Sequence, residues 1–142
     1  MKSALIISGS LVQDHEFIYP YYRLLEANSK LDVCLIGGKP VQGILGTQLP
    51  PNKDHPVKDI DQIKVVDYDL LVLPGGVKAM EKIRQDKQTV KKITVFIRTS
   101  PFQKNKSYYA NIFSFSLLKF FIWNTFKCPR YRSSKKIIES SI

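Results

Sequence analysis

Two cysteines and two histidines, Cys34, Cys128, His15 and His55, are the whole stock of thiols and imidazoles in the 142-residue chain. Thiol catalysis needs a thiolate, a group that tunes it and donors for the oxyanion that forms. Cys34 stands in "LDVCLIGG" between Val33 and Leu35, where a buried, inert thiol is expected. Cys128 stands beside Pro129 among Lys127, Arg130 and Arg132, cations that lower a thiol pKa and raise its reactivity without supplying a base or an oxyanion hole. His15 reads as a solvated residue of a first helical turn. Neither histidine pairs with a cysteine or carboxylate at ligand spacing, so no metal site is predicted. "GGKP" at 37–40 lacks the glycine spacing and the hydroxyl of a P-loop, and no G-x-G-x-x-G follows the first strand. No cofactor is expected.

Three further residues can take part in chemistry. "DYDLLVLPGG", residues 67–76, is a short apolar run closed by Pro74, Gly75 and Gly76. One reading of the glycines is a tight strand-to-helix turn. The other is a backbone stripped of side chains so that its N–H groups can face a developing oxyanion. Glu16 has the same two faces. An acid in a first helical turn is favoured by the helix dipole, and beside a crevice it can also tune a neighbouring thiol.

The elements that hold these residues follow from the apolar pattern. "ALIIS" (Ala4–Ser8), "LDVCLI" (Leu31–Ile36) and "LLVL" (Leu70–Leu73) are too continuously apolar for half-exposed strands, and predict adjacent parallel core strands. "DHEFIYPYYRLLEAN" predicts a helix with Phe17, Tyr21, Leu24 and Leu25 on one face, Asp14 as its cap and a kink at Pro20. The Gly- and Pro-rich run from 40 to 61 predicts a small hairpin and a long return loop. Ala79–Ile97 predicts one helix. This order is that of a doubly wound α/β sheet, whose ligands sit outside the carboxyl ends of the strands. Glu16, Gly75 and Gly76 all fall there.

Composition changes near residue 90. Residues 1–90 hold 11 Lys/Arg and 11 Asp/Glu, whereas 91–142 hold 11 Lys/Arg and only Glu139, so the whole net charge of +10 lies in the last third. All seven glycines lie at or before Gly76, and 11 of the 16 aromatics lie at or after Phe96. A partial α/β domain over 1–97 and a basic aromatic tail over 98–142 are therefore expected. Within the tail, Tyr108–Trp123 is apolar but carries Lys119 and falls short of the ~20 residues of a membrane span, so a buried or interfacial helix is predicted. Two cysteines without a secretory signal predict a reducing cytoplasm.

"ALIIS", "QDHEFIYPYYRL", "GGKPVQGILG", "DYDLLVLPGG" and "MEKIRQD" together resemble, in order over about residues 1–93, the N-terminal half of the ThiJ/PfpI proteins of the class I glutamine-amidotransferase-like superfamily. The resemblance implies a flavodoxin-like fold and a reactive cysteine on a nucleophile elbow. It implies that Glu16 matches the acidic partner of that cysteine, that Gly75 and Gly76 match a turn of the oxyanion hole, and that Glu81 matches a residue at a subunit interface, which leaves a homo-oligomer open. The family's activities include cysteine peptidase, deglycase or glyoxalase, and chaperone-like holding.

The resemblance stops where the elbow belongs. The family continues into an apolar strand and a cysteine-histidine-glycine turn; this chain reads "TVFIRTSPFQKNKSYYANIFSF", with no cysteine between Cys34 and Cys128 and no histidine after His55. Three accounts follow: a nucleophile-free domain kept for binding or holding, a nucleic-acid or anionic-membrane binder acting through the tail, or a chain whose last third comes from a shifted reading frame. Catalytic inactivity of the family type is expected under each.

Overall fold

The structure, a computed structural model, describes residues 2–99 and 107–110. Its first strand, β1 (Ser3–Ser8), is followed by α1 (Asp14–Glu26), β2 (Lys30–Leu35), a hairpin of β3 (Val41–Gln42) and β4 (Gln48–Leu49), and β5 (Val57–Lys58). Two short 3-10 turns, Ile60–Gln62 and Val65–Asp67, lead to β6 (Leu70–Leu73), α2 (Val77–Gln85), α3 (Lys87–Thr99) and β7 (Ser107–Ala110). The main sheet runs β5-β2-β1-β6-β7, and every pairing in it is parallel. This is the flavodoxin-like α/β arrangement, and the three core strands are adjacent as their apolar runs predict.

Alternation along β1 divides the core between the two faces of the sheet. Ala4 and Ile6 pack with Phe17, Tyr21 and Val33 on the α1 side. Leu5 and Ile7 pack with Cys34, Ile83, Ile93 and Phe96 beneath α2 and α3. Both faces are covered, which is why these strands carry no polar alternation. In α1, Phe17 and Tyr21 are fully buried, while Leu25 is 38% exposed because it lies about 80° around the helix from Phe17.

Four expectations are corrected. Asp14 is not the cap of α1; that position belongs to Gln13, and the Asp14 side chain turns to the hairpin instead. The single helix expected over Ala79–Ile97 is two, broken at Asp86, which adopts an extended conformation. Asp86 ends α2 and starts α3: its carboxylate accepts from the Gln88 amide at 3.2 Å, a donor that a helix start leaves open, and from the Thr89 hydroxyl at 2.5 Å. The return loop adds a strand, β5, to the edge of β2 through Val33↔Val57 and Cys34↔Lys58. Finally, Ser107–Ala110 is strand rather than the beginning of a helix, and it pairs with β6 from Leu70↔Ser107 to Leu73↔Ala110. Tyrosines are at home in a strand, and the open edge of β6 supplies backbone partners. The rest of the expected tail helix, Cys128 and Glu139 lie outside the described residues.

Candidate functional site

The strand order reverses between β1 and β6. The chain moves from β1 to β2 on one side and returns to β6 on the other, which opens a crevice at the carboxyl ends of β1 and β6. Three segments line it: the loop after β1, the turn after β6 and the tip of the hairpin.

These segments are fastened by backbone hydrogen bonds. The Gln13 amide donates to the Gly75 carbonyl at 2.9 Å, Leu11 to Gln42 at 2.8 Å, and Ile44 to Val12 at 2.9 Å. Gly76 holds φ at 133°, and a Cβ there would lie 2.9 Å from the Gln13 nitrogen and 3.0 Å from the Val12 Cα. Only glycine fits this position, on both counts. Gly76 also begins α2 by accepting from the Met80 amide at 2.9 Å.

Asp14 was missed as a site residue by sequence reasoning. It is 1% exposed and takes the hairpin tip in its carboxylate, accepting from the Leu45 amide at 2.8 Å and the Thr47 amide at 3.2 Å. Burial alone would push its carboxyl up, but the donors from Leu45 and Thr47 outweigh it and hold the group below the ordinary carboxylate value. Gly43 makes the approach possible, since a Cβ would collide with that carboxylate. The contact joins residues more than thirty apart and has no local signal. Lys82 was missed as well; its ammonium donates to the Ser10 hydroxyl beside the end of β1.

Glu16 and Gly75 meet directly. The Gly75 amide donates to Glu16 Oε2 at 2.5 Å, a short, charge-assisted bond. Two residues picked out separately in the sequence, 59 positions apart, are thus brought into one contact. Gly76 lies next to them, at the start of α2. The bond also commits the Gly75 donor: an N–H held by a carboxylate is not free to receive an oxyanion, and the carboxylate beside it disfavours a second negative charge.

No thiol is brought to this contact among the described residues. Cys34 is 1% exposed and packs in the core with Leu5, Ile7 and Ile60. Burial, followed by the charge of Asp59, pushes its thiol up to about 12, so it stays protonated at neutral pH. Glu81 is half-buried on α2 and is held by its own helix. Arg84 bonds both of its oxygens, at 2.5 and 2.8 Å, Gln85 adds a third bond at 3.0 Å, and these donors hold the carboxyl down to about 2. His15 is exposed, and His55 lies on the loop before β5, beside Tyr21 of α1. No group of three or more His, Cys, Asp or Glu suited to a metal occurs among the described residues, and no described helix is long and apolar enough to cross a membrane.

Sheet order, crevice and the strand-end glycine turn define a flavodoxin-like α/β domain. The DJ-1/PfpI family profile matches residues 2–104, and the chain belongs to that family. An uncharacterized protein of Archaeoglobus fulgidus is 31% identical over 93 residues, covering 66% of this chain and 52% of its own length. The chain therefore spans about half the length of that relative. Among solved structures, oxidized DJ-1 of Toxoplasma gondii superposes with a TM-score of 0.68 at 15% identity, covering 83% of this chain and 59% of that one. DJ-1beta of Drosophila melanogaster gives 0.66 at 22% identity, with 83% and 59% covered. A two-domain protein of Anabaena variabilis containing DJ-1/ThiJ/PfpI-like and ferritin-like domains gives 0.67 at 23% identity, with 83% and 31% covered. At these identities the likeness is one of fold.

Proposed function

We propose that this chain is a DJ-1/PfpI-family domain that keeps the acid and glycine side of a thiol site, has no nucleophile to serve, and acts by binding or holding rather than by covalent turnover. The observation that carries this reading is the Glu16–Gly75 bond at 2.5 Å. Glu16, the residue matching the acidic partner of the family's cysteine, is occupied by the very amide that matches the oxyanion hole, so each satisfies the other without a thiol. Covalent catalysis requires the nucleophile itself. Cys34 is buried and protonated, and the sequence around Cys128 lacks the glycine that a nucleophile elbow calls for. On this reading the chain works in the cytoplasm, and a last third from a shifted reading frame accounts for the simultaneous change in charge, glycine and aromatics.

Assays for peptidase, deglycase and glyoxalase turnover test the proposal. The purified chain is expected to show none above background. Activity that disappears in Cys34→Ser or Cys128→Ser overturns it.

A polyanion-binding role is the second reading, favoured by one observation. Lys87, exposed on α3, lies one turn before the exposed Lys91, the first of eleven cations that stand against Glu139 alone from residue 91 onward. Retention of single-stranded nucleic acid that weakens steeply with salt supports it, and no salt-dependent retention removes it.

A further inference from the structure

On the face of the sheet covered by α1, two polar atoms on neighbouring rings are buried without a hydrogen-bond partner among the described residues: the Tyr21 hydroxyl and His55 Nε2. Tyr21 is 0% exposed, and the two rings meet edge to face, with centroids 5.4 Å apart and planes at 69°. The Leu31 backbone hydrogen-bonds the other side of the His55 ring. His55 is therefore wedged between α1 and β2 at the point where the return loop passes into β5. That strand is two residues long and pairs with β2 only through Val33↔Val57 and Cys34↔Lys58. Besides that pairing it is held by Val57 against the α1-side core, by the Lys58–Asp32 ion pair at 2.8 Å, and through the preceding loop by this imidazole.

We infer that His55 is a proton-operated latch: neutral, it fastens the loop before β5 and the edge strand itself onto α1 and β2, and protonation releases them. A neutral imidazole costs less here than a charged one: one nitrogen serves Leu31, and the other is an uncharged acceptor against the Tyr21 ring. Protonation adds a charge and a donor at Nε2, and the unpaired acceptor beside it, the Tyr21 phenol oxygen, is neutral and supplies no countercharge. From α1 the ring is faced by Tyr21, whose own ring meets that of Tyr22 edge to face. From β2 it feels the Asp32 carboxylate, which attracts a charged imidazole but already accepts from Lys58 Nζ at 2.8 Å and from the Tyr68 hydroxyl at 2.7 Å. From β5 it feels the opposing ammonium of Lys58. Burial is the largest influence, and the net result lies below the ordinary imidazole value of 6.5.

The sign follows from linkage. A histidine depressed in the folded state contributes stability that is present above the released state's value of 6.5 and is lost as pH falls below it. Between pH 7.5 and 5.5, a released imidazole of ordinary affinity gains protons in the ratio (1 + 10)/(1 + 0.1), so the released form is favoured by up to about tenfold. Release uncovers the edge of β2, and an uncovered edge invites strand addition.

Amide hydrogen exchange on the full chain tests this. Protection of the His55, Val57 and Lys58 amides, corrected for intrinsic rates and referenced to amides of β1, is expected to fall by up to about tenfold from pH 7.5 to 5.5. In His55→Phe, which keeps an aromatic ring against Tyr21, the fall is expected to vanish. Equal protection at the two pH values, or an undiminished fall in His55→Phe, overturns the inference. Should that variant not fold, NMR titration of the His55 ring in the unaltered chain decides: a midpoint below 6.5 supports the latch, and a midpoint at or above 6.5 refutes it.

Discussion

Replacing Gly75 by alanine probes the Glu16 contact with a single methyl group. Gly75 is buried and is not among the positive-φ glycines, so alanine is compatible with its backbone. The added Cβ would lie 3.0 Å from Glu16 Cδ and closer still to Oε2. What it meets is the far end of a flexible side chain, so Glu16 swings aside and the cost is the lost hydrogen bond rather than a backbone clash. A hydrogen bond to a charged group contributes about 1.5–3 kcal/mol. Restricting the unfolded chain by Gly→Ala returns about 0.4–1 kcal/mol. Gly75→Ala is thus expected to destabilise by roughly 0.5–2.5 kcal/mol, read from the midpoint shift in urea at unchanged slope. In a Glu16→Ala background the obstacle is gone, and the same substitution is expected to be neutral or to stabilise by about 0.4–1 kcal/mol. An equal cost in both backgrounds would mean that the penalty arises elsewhere than at the Glu16 contact.

Three other substitutions bear on the same frame. Gly76→Ala is expected to cost more than Gly75→Ala, because its Cβ meets the backbone of Val12 and Gln13 at a φ of 133°; an equal or smaller shift in denaturation midpoint counts against that packing. Asp14→Asn places an amide donor against the Leu45 and Thr47 amides and is expected to lose about 1–3 kcal/mol at neutral pH. Because the Asp14 carboxyl is held below its ordinary 3.8, its contribution is present above that value and fades as pH falls further, so the difference between Asn and Asp chains should shrink in acid titrations. Cys34 has the opposite sign: raised from 9.0 to about 12, it contributes stability that is complete below 9 and is lost as pH rises toward 12. Cys34→Ala should flatten that alkaline loss, beyond which Tyr68, raised by burial and by Asp32, still contributes.

The legible parts of this molecule were those written in local pattern. Continuous apolar runs gave β1, β2 and β6 and their adjacency, because strands buried on both faces leave no alternation to misread. Glu16 and the glycine turn were legible as candidates since both lie at strand ends, where an α/β sheet places its ligands. Their mutual bond was not, because nothing near Glu16 in sequence says that an amide 59 residues away will reach it. Asp14 was misread for the same reason: an aspartate at a helix start looks like a cap, and only the folded hairpin reveals the better donors of Leu45 and Thr47. The break at Asp86 was hidden by the apolar period that runs on from Ile83 to Ile93, two residues of one core cluster on separate helices. β7 was hidden by an aromatic composition that strand and buried helix share.

Whether Glu16 serves Gly75 or a thiol is decided by alkylation of the folded chain with iodoacetamide at neutral pH, mapped to Cys34 and Cys128, with and without Glu16→Gln. Cys34 is expected to react at least tenfold more slowly than free cysteine, as a buried thiol should, and Glu16→Gln to leave the rates of both cysteines unchanged. A several-fold change at either cysteine on Glu16→Gln would reveal a thiol coupled to that carboxylate, and Glu16 would then serve more than Gly75.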